Sequence, residues 1–370
     1  MDLASELERR HANVRVAMGE HGLDALIVSG SEYSGFEGAV TYMSGFQIVH
    51  RYAYVVLPAD GEPSVVFPSE ARYVGEHETT QLEQVFHPRP GEHIAAQARA
   101  AGWKRVGVYG LDYIMTVRDY QALEGVELVP FDVEFDLARA VKSEPELESV
   151  RDSVRINERG FEIWYDAYAP GKTAAEVMAA AEEWFVAEGC GRLTMNMVLT
   201  GTDSYARPEF KIARSDEVLQ GFVLPSLEVA GPGMHWVEVS RAVCAGGVEP
   251  SDETKRMMEA YEEYYEVAKA AMRAGATCHD VHVAVSRGFT DRGYHLGHVT
   301  GHSIGMTMIE FPKVGEGSDV ELEANMVLSM HPHAIAADGE GCLYMQDTWL
   351  VTPSGGMPLA DLAMEIWVGR

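Results

Sequence analysis

Apolar positions in the first 140 residues switch between a helical and a strand period. Leu7, Val14, Val16 and Met18 recur within 6–21 as in an amphipathic helix, and Gly22 ends it. The run Asp24-Ala25-Leu26-Ile27-Val28 then predicts a short buried strand. Residues 52–57 and 63–67 predict paired strands around the Pro58-Ala59-Asp60-Gly61-Glu62 turn. A helix over 94–101 and a strand over 105–109 complete a first α/β domain that ends near Ala140.

Polarity rises at Lys142-Ser143-Glu144-Pro145-Glu146, where Ser143 suits a helix N-cap and Pro145 its first turn. The boundary is placed there, giving domains over 1–141 and 142–370. The second domain is predicted to carry helices near 144–167, 173–189, 251–274 and 279–292. Strands are expected over 194–200, 221–230, 234–244, through Gly301, and over 326–335 and 343–352. No internal repeat or low-complexity tract interrupts this order.

Composition narrows the function. The 370 residues are 46% hydrophobic and 23% charged, as in a globular protein. The net charge of −28 repels nucleic-acid phosphates and anionic membranes, so neither is an expected partner. No segment reads as a membrane span or a secretory signal, and a cytoplasmic protein is expected. Cys190, Cys244, Cys278 and Cys342 are widely spaced, which supports neither a disulfide framework nor a metal knuckle.

The candidate chemistry centres on Gly301-His302-Ser303-Ile304-Gly305, followed by Ile309-Glu310-Phe311-Pro312. Glycines flanking a histidine free the backbone to turn while the imidazole projects into a cavity. This wording resembles the pita-bread family of methionine aminopeptidases, Xaa-Pro peptidases, prolidases and creatinases. Arg139-Ala140-Val141-Lys142-Ser143-Glu144-Pro145-Glu146-Leu147 is similar to that family's entry to its catalytic domain. The closing Gln346-Asp347-Thr348 follows in family order. The resemblance implies an α/β (α+β) fold: a smaller creatinase-type N-terminal domain, then a pita-bread catalytic domain.

Metal-dependent members of the family carry two aspartates on a hairpin, one histidine and two glutamates on later strands. His302 stands at the histidine. Glu238, in Glu238-Val239-Ser240-Arg241, stands at the second aspartate. The first aspartate falls on Leu227 by spacing. Glu228 takes that place only if the hairpin has lost one residue, because neighbours on a strand face opposite sides. His331 and Gln346 stand where the two glutamates belong. A dinuclear centre is therefore not expected. A single zinc or iron(II) held by Glu238, His302 and His331 is chemically reasonable, while the principal expectation is that no cofactor is used. Arg207 occupies a position that is histidine in creatinase, and reads as a carboxylate clamp or as a surface ion pair with Glu209 or Asp216.

The resemblance implies a hydrolase acting on a C–N bond. His302, His331 and Glu238 are the expected catalytic groups, with Arg207, Glu228, Glu310, His298 and Gln346 around the substrate. The leading expectation is a metal-independent, creatinase-like hydrolase of a small polar or compatible-solute substrate. The alternatives are an Xaa-Pro peptidase with an altered metal site, a dimethylsulfoniopropionate-lyase-like enzyme and a non-catalytic binding protein. His235 and His333 read as structural, and Trp236, Tyr344 and Trp349 as packing residues or pocket walls. Creatinase relatives also imply a homodimer, with Tyr42, Phe46 or Arg51 reaching across.

Overall fold

The computed structural model describes residues 3–32, 37–73, 80–191, 196–202 and 204–369. The chain divides into two compact units, Met1–Arg139 with Met306–Met308, and Ala140–Gly305 with Ile309–Arg370. The first break falls between Arg139 and Ala140, and a short later segment returns to the first unit.

In the first unit, α1 (Leu3–Glu20) precedes β1 (Ala25–Ser31), α2 (Gly38–Ser44), β2 (Tyr52–Pro58), β3 (Ser64–Pro68) and β4 (Glu83–His87). Then come α3 (Pro90–Ala101), β5 (Arg105–Tyr109), α4 (Val117–Ala122), β6 (Glu127–Pro130) and α5 (Asp132–Ala138). The strands form one mixed sheet in the order β4-β3-β2-β1-β5-β6. β1 is central and buried almost throughout, which is why its sequence is apolar without alternation. Leu7, Val14 and Met18 of α1 are buried as its periodicity predicts, whereas Val16 lies off that stripe and is exposed. Residues 40–44 belong to α2.

The second unit opens with α6 (Glu144–Ala167) and α7 (Ala174–Ala187). Ser143 caps α6 as expected: its Oγ accepts from the Glu146 amide, and Glu146 reaches back to the Ser143 amide at 2.9 Å. The strands that follow are β7 (Met197–Thr202), β8 (Tyr205–Ile212), β9 (Phe222–Ser226), β10 (Glu228–Ala230), β11 (Trp236–Glu238) and β12 (Val243–Cys244). Helices α8 (Asp252–Ala271) and α9 (Cys278–Thr290) lead to β13 (His295–Leu296), β14 (Gly301–Ser303) and β15 (Glu310–Val314). β16 (Val327–Met330), β17 (His333–Ile335), β18 (Cys342–Tyr344), β19 (Asp347–Val351), β20 (Gly356–Pro358) and β21 (Trp367–Val368) complete the chain. The predicted strand over 194–200 falls partly on residues outside the described ones.

Three sheets result: β13-β17-β18-β8-β7-β9-β12-β21, β15-β14-β16-β19-β20, and the hairpin β10-β11. Tyr261, Tyr264 and Phe289 of α8 and α9 share a core with Leu328, Leu343 and Trp349 of the sheets. Four strands expected to be continuous are in fact broken. Residues 221–230 break at Leu227, 326–335 at His331-Pro332, and 343–352 at Met345-Gln346. The strand over 234–244 breaks between Glu238 and Val243, where the chain passes from the hairpin to the eight-stranded sheet. Proline cannot donate to a ladder, which accounts for the break at Pro332. Each break is where the chain leaves one sheet for another, and each lies at or beside a candidate site residue.

Candidate active site

The hairpin register decides which residue faces the cluster. Glu228 pairs directly with Glu238, Val229 with Val237 and Ala230 with Trp236, so the two glutamates share one face. This register places Glu228, rather than Leu227, opposite Glu238. Leu227 turns away: its side chain is buried and its carbonyl accepts from the Asn157 amide at 2.9 Å.

His302 comes from β14, which runs between β15 and β16. A Cβ at Gly301 would stand 2.3 Å from the Ser329 carbonyl, and one at Gly305 would stand 2.5 Å from Glu310. Both glycines are thus required by close approach. The His302 Nδ1 lies 2.9 Å from the Ser303 carbonyl; because a carbonyl only accepts, Nδ1 carries the hydrogen and Nε2 faces Glu238. His331 follows β16 and Gln346 precedes β19, which brings both to the same centre.

There, Glu238 Oε1 is 3.4 Å from His302 Nε2, and its Oε2 is 3.9 Å from His331 Nε2. Ser329 Oγ donates to Glu238 at 2.5 Å. Gln346 Nε2 donates to Glu238 at 2.9 Å and to Glu228 at 3.0 Å, and lies 3.1 Å from the Tyr344 hydroxyl. Its amide oxygen accepts from Ser226 at 3.1 Å and Ser240 at 3.0 Å, which fixes the amide with its hydrogens toward the carboxyls. Glu238, His302, His331 and Gln346 are 2%, 5%, 5% and 0% exposed, so their charges interact with little screening by water.

Burial alone raises the Glu238 carboxyl, but His302 and His331 outweigh it and hold Glu238 down to about 2. Burial, then the negative charge of Glu238, pushes Glu228 well above the usual carboxylate range, so it keeps its proton. Burial pulls His302 down, yet the Glu238 carboxylate overcomes it and the imidazole is raised. His331 is driven down to about 3, chiefly by burial, and is neutral. The two glutamates are therefore driven in opposite directions, and so are the two histidines.

The remaining expected residues divide. His298 joins the cluster edge, with its ring 5.0 Å from that of His331. Glu310 is buried in an ion pair with Lys142 at 3.1 Å. Arg207 is exposed on β8 and is not among the hydrogen-bonded residues of the cluster; Glu209, one of its expected partners, pairs with Lys211 at 3.3 Å. Sequence reasoning passes over Ser226, Ser240, Ser329 and the hydroxyl of Tyr344. Strand periodicity points to three of them, since Ser226, Ser329 and Tyr344 each lie two residues before Glu228, His331 and Gln346.

Behind the cluster, Arg241 is fully buried and donates to Asp347 at 3.0 Å and to the carbonyls of Ser240 at 2.8 Å and Gln346 at 3.0 Å. It fixes the backbone that presents Gln346. Arg241→Met leaves the Asp347 carboxyl buried without its cation and is expected to destabilise the protein by about 3–5 kcal/mol, measured by urea unfolding. A loss below about 1 kcal/mol contradicts this role.

The donors can be tested against the metals they could hold. Two divalent ions need about four carboxylates for neutrality, and this cluster offers two carboxyls. Gln346 also directs amide hydrogens toward the position a second ion would occupy. A dinuclear centre does not fit. Donor atoms of Glu238, His302 and His331 all lie within 4.8 Å of one another, a two-histidine, one-carboxylate set suited to one divalent ion. All four described cysteines are free and take no part.

Comparison with known proteins agrees with the geometry. The model of metallopeptidase family M24 matches residues 148–353, and that of the creatinase/prolidase N-terminal domain matches residues 10–141. A Lactobacillus delbrueckii subsp. lactis protein named Xaa-Pro dipeptidase is 27% identical over 263 residues, covering 69% of this chain and 70% of its own. The Mycobacterium tuberculosis protein named probable dipeptidase PepE is 25% identical over 371 residues, covering 97% and 96%. Among solved structures, X-Pro aminopeptidase from Thermotoga maritima superposes with a TM-score of 0.82 at 22% identity, covering 97% of this chain and 99% of that one. That last likeness bears on the fold alone. No described helix is long and apolar enough to cross a membrane.

Proposed function

The chain belongs to metallopeptidase family M24, and from that premise we propose that it hydrolyses small peptides of the Xaa-Pro type at a site holding one divalent ion. The observation that carries this reading is the convergence of Glu238, His302 and His331. The metal-independent, creatinase-like hydrolase expected from the sequence gives way to it. The curated relatives reported above are named dipeptidases, and three donors suited to an ion persist among the altered positions.

A divalent ion held there supplies Lewis-acid polarisation of the scissile carbonyl and of an attacking water. The protein's own groups supply the rest. The Ser303 carbonyl holds the His302 tautomer, and Ser329 and Gln346 hold the Glu238 carboxylate against rotation. Glu228 lies 3.0 Å from the Gln346 amide and faces Glu238 across the hairpin, which places it to act as a general acid toward the leaving nitrogen. The cluster lies deep in the unit, which excludes bulk water and strengthens each interaction.

Purified protein supplied with zinc, manganese or iron(II) is expected to release proline from Xaa-Pro dipeptides; no release with any of these ions contradicts the proposal. Glu228→Gln keeps the neutral shape of the protonated acid but cannot give a proton. It is expected to leave the melting temperature and ion content unchanged while kcat falls roughly 10²–10⁴-fold. Wild-type turnover in that variant removes Glu228 from the proton-donor role. A second reading, hydrolysis without metal, is favoured by the Gln346 amide bridging both carboxyls and by the His302–Glu238 ion pair. Full turnover in chelator would move the assignment there.

A further inference from the structure

Four imidazoles run in file from the donor cluster. The ring centroids of His302 and His331 are 5.0 Å apart, those of His331 and His298 5.0 Å, and those of His298 and His333 5.4 Å. The first two rings belong to the cluster, and the last two have no task in the reaction described above.

His333 is 3% exposed, and its Nε2 is buried without a hydrogen-bond partner. Rings surround it: Phe210 at 5.5 Å, Tyr344 at 5.4 Å and His298. None of them provides a carboxylate, and the Tyr344 hydroxyl is already engaged by Gln346. A Cβ on Gly297 would meet the His333 Nδ1 at 2.7 Å, so the ring fills space that only glycine leaves. A buried polar atom without a partner is costly, and beside a reaction centre a substrate atom can supply the missing bond.

His298 provides the complementary half. Its Nδ1 lies 2.8 Å from the Val299 carbonyl and so carries the hydrogen, leaving Nε2 with a lone pair. His298 is exposed, whereas His333 beside it is buried.

We propose that His298 and His333 form a substrate subsite beside the donor cluster that recognises an uncharged amide, either the next peptide bond or a terminal carboxamide, in preference to a free carboxylate. An amide offers an N–H for the His298 lone pair and a carbonyl for a His333 N–H. A carboxylate offers no N–H to the His298 lone pair, and entering beside the buried His333 ring costs it its hydration. The inference rests on the peptide-hydrolase reading and adds to it a preference for chains extended beyond two residues.

The test compares Ala-Pro with Ala-Pro-amide on the metal-loaded protein. The wild type is expected to favour the amide by roughly tenfold or more in kcat/KM. His333→Phe is expected to abolish the preference through KM, with partial rescue in His333→Asn. Gly297→Ala, which displaces the ring without removing it, is expected to weaken the preference as well. A wild-type preference for the free acid, or an amide preference that survives in His333→Phe, overturns the subsite. Hydrolysis of neither compound refutes the functional reading instead. Binding then decides the subsite, by NMR of labelled imidazoles titrated with prolinamide and proline. A His333 shift with prolinamide alone supports it; equal shifts or none overturn it.

Discussion

Glu238→Gln is expected to abolish ion binding and to lower kcat/KM on the order of a thousandfold or more. Its carboxylate is the one ionised acid of the cluster, lying 3.4 Å from His302 and 3.9 Å from His331. An amide keeps the shape but supplies neither the anion nor the ligand. Ion content and turnover, measured on the same preparation, check this. A variant that keeps both shows that Glu238 is not the anchor.

The pH dependence of stability gives an independent reading on chelated protein. Glu238 is depressed from 4.5 to about 2, so its contribution is present above 4.5 and lost as pH falls through 2. His302 is raised above 6.5, so its contribution is complete below 6.5 and lost as pH rises through the folded value. The stability difference between wild type and Glu238→Gln is therefore expected to be largest between about 4.5 and 6.5 and to shrink on both sides. A difference that grows steadily toward alkaline pH excludes the pair.

Gln346→Glu is expected to make the second unit dependent on divalent metal. The substitution replaces an amide 2.9 Å from Glu238 and 3.0 Å from Glu228 with a third carboxyl, with only His302 as a nearby cation. A buried uncompensated charge costs about 3–5 kcal/mol. For a unit of this size that lowers the melting temperature in chelator by roughly 10 °C. Added zinc or manganese should restore it, because cations replace the lost amide hydrogens. A melting temperature in chelator equal to the wild type's would show that protons alone absorb the added charge.

Much of this was legible in the sequence because the site residues fall in order within recognisable strands. The glycines around His302 announce a close backbone approach, and the structure gives its cause in the Ser329 carbonyl and Glu310. The Ser143 cap and the buried β1 follow from local chemistry alone. The hairpin register could not be read, because Leu227 and Glu228 are neighbours and one residue of turn length decides which faces inward. The strand breaks at Leu227, His331 and Gln346 were hidden for a related reason. An apolar run has the same appearance whether it stays in one sheet or crosses to another. Arg207 and Glu310 illustrate a third limit, since charge and position suggest a substrate clamp without showing that one is exposed and the other paired with Lys142. Unpartnered nitrogens such as the His333 Nε2 have no sequence signature at all.

The most direct test of the account is elemental analysis of purified protein, paired with turnover during metal removal and return. One divalent ion per chain, with activity lost on chelation and regained at one equivalent, is the predicted result. Two ions per chain, or undiminished turnover with none, contradicts it.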